Sequence, residues 1–343
     1  MRRSPAALVA CSLLVAILAT GQLVAGDTVP LTQGAQTSVV NDSARTQFVL
    51  LGFDASPGSE RPLENTGFHY VHQALNRHRA SGRPPNSFTL FISTGLFQLA
   101  PGRSQHEAER PFEGLLPRNQ PVIGYARSLD ALQARAANVR DIAALGVEIG
   151  SHAVRHAHGL RFDEATWRTE LVDHERISEL LDLPRPVGFR APFLEYNEAM
   201  YTALAAHGTR YDASRPGGRA WPTRHPSGIW LFSIPNVIVP PGRRALFFDD
   251  NLRELLLPLA HAAGKSGRDA ERHIDDAYYQ AAMAEFQERY RGERPPFLIS
   301  GHGNFRGGIL RVMRNVCGLP DVRCATFTEA VEYLDAHPEL AGH

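Results

Sequence analysis

Three histidines with a spacing suited to metal ligands follow one short apolar run. The stretch VEIGSHAVRHAHG, residues 147–159, contains His152, His156 and His158. Residues four apart on a helical turn project from the same face, so His152 and His156 could share a cation. Imidazole suits zinc and its neighbours, and a catalytic zinc commonly has about three protein ligands and an open water position. The pair therefore predicts a metal site that needs a further ligand.

Other residues capable of chemistry stand where apolar segments end. One such residue alone is often a helix cap or a salt-bridge partner. Core packing does not require five of them at five strand ends, which favours a shared site. The five are Asp54 in VLLGFD, His152 in VEIGSH, Arg190 in VGFR, Asp212 in RYDAS and His302 in FLISGH.

The segments that carry these residues alternate with stretches of helical periodicity. The expected strands are 46–53, 87–93, 147–151, 187–191, 209–213, 229–235, 296–300 and 324–328. Such alternation implies a largely parallel sheet. We predict an irregular (β/α) barrel of seven to eight units, in which strand ends converge on one face. A doubly wound open sheet is the alternative, and no Gly-x-Gly-x-x-Gly turn supports a dinucleotide site. The charged stretch 242–295 is expected to be a helical insertion.

The N-terminus predicts export. Arg2 and Arg3 precede an apolar run over residues 6–19 and then the small-residue stretch ATGQLVAG. This order is typical of a secretory signal peptide, which we place at 1–26. An uncleaved membrane anchor is the alternative, although the run is short for a span of about 20 residues. Residues 27–44 are polar and predict a linker before a barrel over 45–343, in a secreted or periplasmic protein.

Cysteine spacing and charge balance add two expectations. Cys317 and Cys324 bracket a Gly-Leu-Pro turn, and in an exported protein such a pair predicts a disulfide. Two buried thiols are the alternative. Lys plus Arg and Asp plus Glu number 36 each. This balance provides no net field to attract nucleic acid or an anionic membrane.

The order of the motifs resembles the polysaccharide deacetylase family, also called carbohydrate esterase family four. GFDAS, SHAVRH, FRAPF and LISGH follow the family's order, and RYDAS resembles the segment before its tryptophan motif. The resemblance covers roughly residues 45–340 and implies metal-assisted removal of N-acetyl or O-acetyl groups from a polysaccharide. The acetyl linkage and the polymer both stay open.

The resemblance also implies roles for individual residues. Asp54 would be the general base, Arg190 would hold it in place, and His302 would be the general acid. His152 and His156 would bind the metal, most simply zinc. The groups that would contact the substrate or its oxyanion are the backbone N–H near Phe193, Asp212, and Trp221 in a turn-rich loop.

The sequence departs from the family's pattern at the third metal ligand. Ala55 stands where the family has a second aspartate, and it cannot bind an ion. A substitute could come from His158, Ser56, Asp163 or Asp54 itself. Otherwise this protein binds no metal, and it is a non-catalytic carbohydrate-binding protein or a hydrolase of different chemistry.

The family's first motif is Phe-Asp-Asp. This tripeptide is absent from GFDAS but occurs later in the chain, in ALFFDDN at 245–251. Asp249 and Asp250 could belong to a permuted site. GFDAS already fills the family's first position, so we interpret these acids as the start of the following helix.

Overall fold

The computed structural model describes residues 46–55, 61–77, 79, 84–114, 124–239, 242–303 and 307–342. These residues belong to one compact unit, Ser43–His343. The predicted signal peptide at 1–26 and linker at 27–44 lie outside the described residues. Among the helices that are described, none combines the length and the apolar character needed to span a bilayer.

Parallel strands build the centre of the molecule. Their order across the sheet is β10-β1-β2-β3-β4-β5-β7-β6, and β9 and β8 pair with β1 and β7. Pairing is antiparallel only at β6–β7 and β7–β8 within the described chain. The strands are β1 (Gln47–Asp54), β2 (Thr89–Ile92), β3 (Glu148–Ser151), β4 (Gly188–Phe189), β5 (Tyr211–Gly217), β6 (Thr223–Arg224), β7 (Trp230–Val239), β8 (Arg243–Leu246), β9 (Phe297–Gly301) and β10 (Val322–Ala325).

The sheet curls into an irregular (β/α) barrel, which confirms the predicted fold class. β9 pairs with β1 along five residues, and a bridge from Phe248 to Ser300 brings the chain after β8 back against β9. Each of the eight expected strands overlaps an observed one. Strands β6 and β8 were not predicted, because β6 has two residues and β8 lacks an apolar alternation.

Helices cover the outside of the barrel. Several begin at a residue whose side-chain oxygen accepts a backbone N–H of the first turn, as Ser128 and Asp163 do, which satisfies donors that the helix leaves unpaired. They are α1 (Gly67–Asn76), α2 (Leu129–Ala144), α3 (Glu164–Leu180), α4 (Glu198–Ala206), α5 (Asp249–Ala262), α6 (Gly267–Arg291), α7 (Gly307–Val316) and α8 (Phe327–Ala336). Short 3-10 helices occur at Leu63–Asn65, Thr94–Phe97, Glu107–Phe112, Pro192–Leu194 and Pro338–Leu340.

The predicted disulfide is present. Cys317 follows α7, Cys324 lies in β10, and the two sulfurs are bonded. Both side chains are buried in the main apolar cluster between the sheet and its helices. The bond therefore fastens α7 to the sheet.

Candidate active site

A fully buried arginine organises the strand ends. Arg190 follows β4, and its Nη1 donates to Asp54 Oδ1 at 2.8 Å and to the Gly52 carbonyl at 3.1 Å. Its Nε donates to the Ala213 carbonyl at 3.0 Å, and its Nη2 donates to Ser300 Oγ at 3.2 Å. One side chain thus ties β1, β5 and β9 together and fixes one oxygen of Asp54. The planar guanidinium can reach all these acceptors because its donors point in several fixed directions. The compact ammonium of a lysine could not bridge the three strands in this way.

The surroundings of Arg190 are shaped to hold its charge. The ring of Phe91 lies 4.3 Å from the guanidinium carbon, and an aromatic face attracts a desolvated cation. A Cβ at Gly52 would lie 2.7 Å from Nη2, so this position excludes any other residue unless the arginine moves. The chain therefore provides a close-fitting seat for the Asp54–Arg190 ion pair.

His152 is buried beside Asp54 in a defined orientation. Its Nδ1 lies 2.7 Å from the Arg190 carbonyl oxygen, to which it can only donate. Burial lowers the pKa of His152, which favours the neutral ring, with its lone pair on Nε2. His152 Nε2 lies 4.0 Å from Asp54 Oδ2. Two electron-rich atoms thus face each other across a gap that suits a cation, and a ligating histidine commonly donates its other nitrogen in this way.

His156 reaches the same place from an irregular turn. The expectation that i and i+4 share a helical face was wrong, since this segment is not helical and both Ala153 and His156 have positive φ, 57° and 50°. The rings of His152 and His156 nevertheless lie 4.9 Å apart. Burial, and then the proximity of the His152 imidazole, lowers the pKa of His156 to about 4. Its Nδ1 is buried without a hydrogen-bond partner in the described structure.

These donors fit a divalent transition metal. Two neutral imidazoles offer nitrogen lone pairs, one of them has a buried nitrogen with no partner, and a carboxylate oxygen of Asp54 faces them. Neutral histidines and carboxylates are the ligands that zinc-like ions prefer. The side chains present therefore fit such an ion at His152 and His156, with Asp54 Oδ2 facing it.

The other candidates for a third ligand are engaged elsewhere or not described. His158 is mostly exposed, and its Nδ1 lies 3.0 Å from Glu195 Oε1. Asp163 caps α3 through a hydrogen bond to a backbone N–H. Ala55 packs partly against the main apolar cluster. Ser56 lies outside the described residues.

His302, after β9, is surrounded by carboxylates. Its backbone N–H donates to Asp249 Oδ2 at 3.0 Å, while its Nδ1 lies 3.3 Å from Asp249 Oδ1 and 3.0 Å from Asp250 Oδ2. Burial opposes the charged ring. The hydrogen bond to Asp249 and the charges of Asp54, Asp249 and Asp250 outweigh it and raise the pKa of His302. The ring is 38% exposed at its side chain, so it can reach a ligand while holding a proton.

Asp249 is the residue that the sequence interpretation missed. It does begin α5, as expected of FFDDN, but it is 0% exposed and pairs with His302. A Cβ at Gly301 would lie 2.5 Å from its Cγ, so the glycine before His302 makes the approach possible. A buried carboxylate at a helix start needs a partner. The signal that could have found it is an acid placed directly after an apolar run.

Asp249, Asp250 and His302 also form a cluster whose ligand atoms all lie within 4.8 Å of one another, the one such group of three among the described residues. The His302 nitrogen is already at 3.0 to 3.3 Å from both carboxylates. Each of these distances allows a hydrogen bond, so His302 Nδ1 is paired with both carboxylates. We therefore treat the cluster as a charge pair that supports His302.

Asp212 lies behind the mouth of the site. It is fully buried, accepts from Tyr201 Oη at 3.2 Å, and is hydrogen-bonded to Ser214. Burial raises its pKa to about 6. Ser214 Oγ in turn accepts the Ala191 N–H at 2.8 Å. Asp212 thus supports the backbone next to Arg190 from inside the fold.

The two expected substrate-contact aromatics have different positions. Phe193 is 42% exposed, and its ring contacts His156 at 4.7 Å and stacks on His158 at 4.0 Å between centroids. Its φ is 56°, an uncommon conformation that is often found at functional sites. Trp221 instead donates its Nε1–H to the Glu293 carbonyl at 3.0 Å and packs against a second apolar cluster. The described contacts place Phe193, and not Trp221, beside the histidines.

Comparison with known proteins provides an independent view of the chain. Residues 42–211 match the family model described as polysaccharide deacetylase. A Mycobacterium smegmatis structure, provisionally assigned as a polysaccharide deacetylase, has a TM-score of 0.53 and 16% identity and covers 89% of this chain and 96% of its own. A Pseudomonas aeruginosa PAO1 structure with the same provisional assignment has a TM-score of 0.51 and 14% identity. It covers 85% of this chain and 92% of its own. The two likenesses show the fold.

The search of curated proteins gave no match to the sequence.

Proposed function

The chain carries a polysaccharide deacetylase domain, and from that premise we propose that it hydrolyses acetyl groups on a carbohydrate polymer. The observation that supports this most is the pairing of charges at the strand ends. Asp54 is held by buried Arg190, and His302 is held by buried Asp249. A base and an acid with separate environments are what acyl transfer to water requires.

His152 and His156 would hold a divalent metal, for which zinc is our proposal. When bound, such an ion acidifies water and polarises the acetyl carbonyl. The Arg190 carbonyl orients His152 through Nδ1. Asp54 would face this site with Oδ2 as the proton acceptor, because Oδ1 is taken by Arg190.

Asp54 would accept the proton of the attacking water. Arg190 pairs with its carboxylate and holds it stationary through the hydrogen bond from Nη1 to Oδ1. The fixed orientation reduces the entropy lost when the water is positioned. Arg190 itself is fully buried, so its role is to position Asp54.

His302 would donate the proton to the leaving amine or alcohol. Its raised pKa favours the protonated ring, and Asp249 on Nδ1 leaves Nε2 to face the substrate. The backbone N–H near Phe193 would stabilise the oxyanion. Phe193 lies in contact with His156, which supports a position at the reacting carbonyl.

A non-catalytic carbohydrate-binding protein is the weaker alternative. Sugar binding requires neither a buried arginine clamp on a carboxylate nor a buried acid behind a histidine. Desolvating these charges costs free energy, and acid–base catalysis gives a reason to retain them. We also propose export, which the signal-like N-terminus and the disulfide support.

The test is acetate release by the purified protein after incubation with zinc. Acetylated oligosaccharides from chitin, peptidoglycan and xylan are the substrates. D54N is expected to lower turnover by about 100-fold or more in protein that circular dichroism shows to be folded. D141N, which changes an exposed aspartate of α2, is the matched control. Equal turnover in D54N and D141N would contradict the assignment of the base.

A further inference from the structure

The turn that carries His152 and His156 is strained and has to be held. Ala153 and His156 both have positive φ, which non-glycine residues adopt only when the surrounding structure imposes it. Neither residue is a glycine, so the conformation does not follow from local preference. The groups that hydrogen-bond the turn backbone therefore determine where the two imidazoles lie.

The carbonyl side of the turn is fixed by the segment after β2. Ser93 Oγ donates to the His152 carbonyl at 2.7 Å. The N–H groups of Thr94 and Gly95 donate to the next two carbonyls, at 3.2 and 3.0 Å. This side of the turn is therefore hydrogen-bonded to the core of the barrel, and the N–H side remains to be satisfied.

One carboxylate from α3 takes the N–H side. Glu170 is 2% exposed, and its Oε2 accepts the N–H groups of Val154 at 2.8 Å and Arg155 at 3.1 Å. Its Oε1 is bonded to the Arg155 guanidinium, which neutralises it. A buried carboxylate with two backbone donors and one cation is fully engaged, so it fixes the peptide planes between the two histidines.

We propose that Glu170 is a positioning residue that holds the His152–His156 turn in the shape needed to bind metal. This inference rests on the proposed function, which supplies the metal at His152 and His156. It adds Glu170 as the residue that holds these two ligands in place. Glu170 contacts neither histidine side chain in the described structure and acts through the backbone. Outer groups of this kind commonly change metal affinity by about 10- to 100-fold.

The test replaces the carboxylate with an apolar side chain of similar length. E170M removes the acceptor of both N–H groups. E175M is the matched control, because Glu175 lies on the same helix and also pairs with an arginine, Arg185, at 2.8 Å. Hydrogen exchange of the peptide containing residues 152–157 is measured in metal-free protein, and zinc affinity is measured by competition with a chelator.

In E170M we expect exchange of the turn amides to accelerate about tenfold or more and zinc affinity to fall about 10- to 100-fold. E175M should match the wild type in both. Turn exchange and zinc affinity in E170M equal to those of E175M would overturn the inference.

Folding and metal binding are separated by two further measurements. If E170M does not fold because Arg155 lacks its partner, R155M/E170M replaces both charges and is expected to show the same losses. Rapid exchange of Val154 and Arg155 in the metal-free wild type would also overturn the inference. Wild-type protein that binds no zinc would contradict the proposed metal, while the exchange comparison would still test the role of Glu170.

Discussion

His302 and Asp54 are two ionisable residues whose environments separate their roles. Asp54 touches a buried guanidinium, and His302 touches two carboxylates. Each residue therefore faces groups of opposite charge within one site. This arrangement supports the proposal that Asp54 is the base and His302 the acid.

Asp249→Asn tests the acid at this scale. The wild-type carboxylate raises the pKa of His302, so the protonated ring persists to higher pH and activity is lost as pH rises through that pKa. Without the charge, the loss should begin at lower pH. We expect the basic limb of the kcat/KM profile to move to lower pH, with about tenfold lower turnover at neutral pH.

Asp250→Asn is the comparison for this profile. Its side chain is half exposed, so solvent screens its charge and the basic limb should move less. An identical profile in Asp249→Asn and the wild type would show that His302 is not the acid. A larger shift of the basic limb in Asp250→Asn than in Asp249→Asn would mean that Asp250, and not Asp249, is the main carboxylate that raises the pKa of His302.

Much of the candidate site could be predicted at the level of single residues, because strand ends in a (β/α) barrel converge. Asp54, His152 and Arg190 lie together for that reason. Asp249 could not be assigned from the sequence, since its contact with His302 spans 53 positions and depends on how α5 returns to β9. Trp221 shows the converse: a residue in a loop typical of binding sites hydrogen-bonds to the chain after α6.

Among the elements, α3 supports the site from outside the barrel. Glu170 and His174 are one helical turn apart on its buried face, and both reach toward the strand ends. The His174 Nε2 lies 3.1 Å from the Ile92 carbonyl at the end of β2. Helical periodicity between the expected strands is consistent with α3, but the sequence could not show which of its polar residues would be buried. That depends on the irregular turn, which Glu170 contacts, and on the end of β2, which His174 contacts.

His174 makes a testable contribution to stability against acid. Burial lowers its pKa to about 4, whereas the unfolded chain would protonate it near about 6.5. The unfolded state therefore binds more protons between these values, and stability is lost as pH falls from about 6.5 to about 4. The loss from this residue should reach about 3 kcal/mol at the acid end.

His174→Gln should remove that part of the pH dependence. Glutamine can still donate to the Ile92 carbonyl and does not titrate. Urea unfolding at several pH values between 4 and 7.5 measures the free energy of unfolding. We expect a smaller decrease toward acid in the variant than in the wild type, and parallel curves would contradict the assignment.

At the scale of the whole molecule, the candidate site and the disulfide lie toward opposite ends of the strands. The candidate site lies at the ends of β1, β3, β4 and β9. The disulfide lies toward the opposite end, where Cys324 in β10 is in register with Val49 of β1. Val49 and Asp54 are five positions apart in extended strand, a distance of about 16 Å. Stability and chemistry should therefore respond separately to changes at these ends.

C317S/C324S tests this separation. The bond closes a short loop between positions seven apart, and loop-closure entropy predicts a stabilisation of about 2.5 kcal/mol. The variant should melt at a lower temperature by several degrees, while acetate release at 25 °C stays within about twofold of the wild type, because no strand end near Asp54 moves. Single variants C317S and C324S should melt like the double variant, since each removes the same bond. Lost turnover in a fully folded double variant would mean that the closure at β10 also sets the geometry of the strand ends.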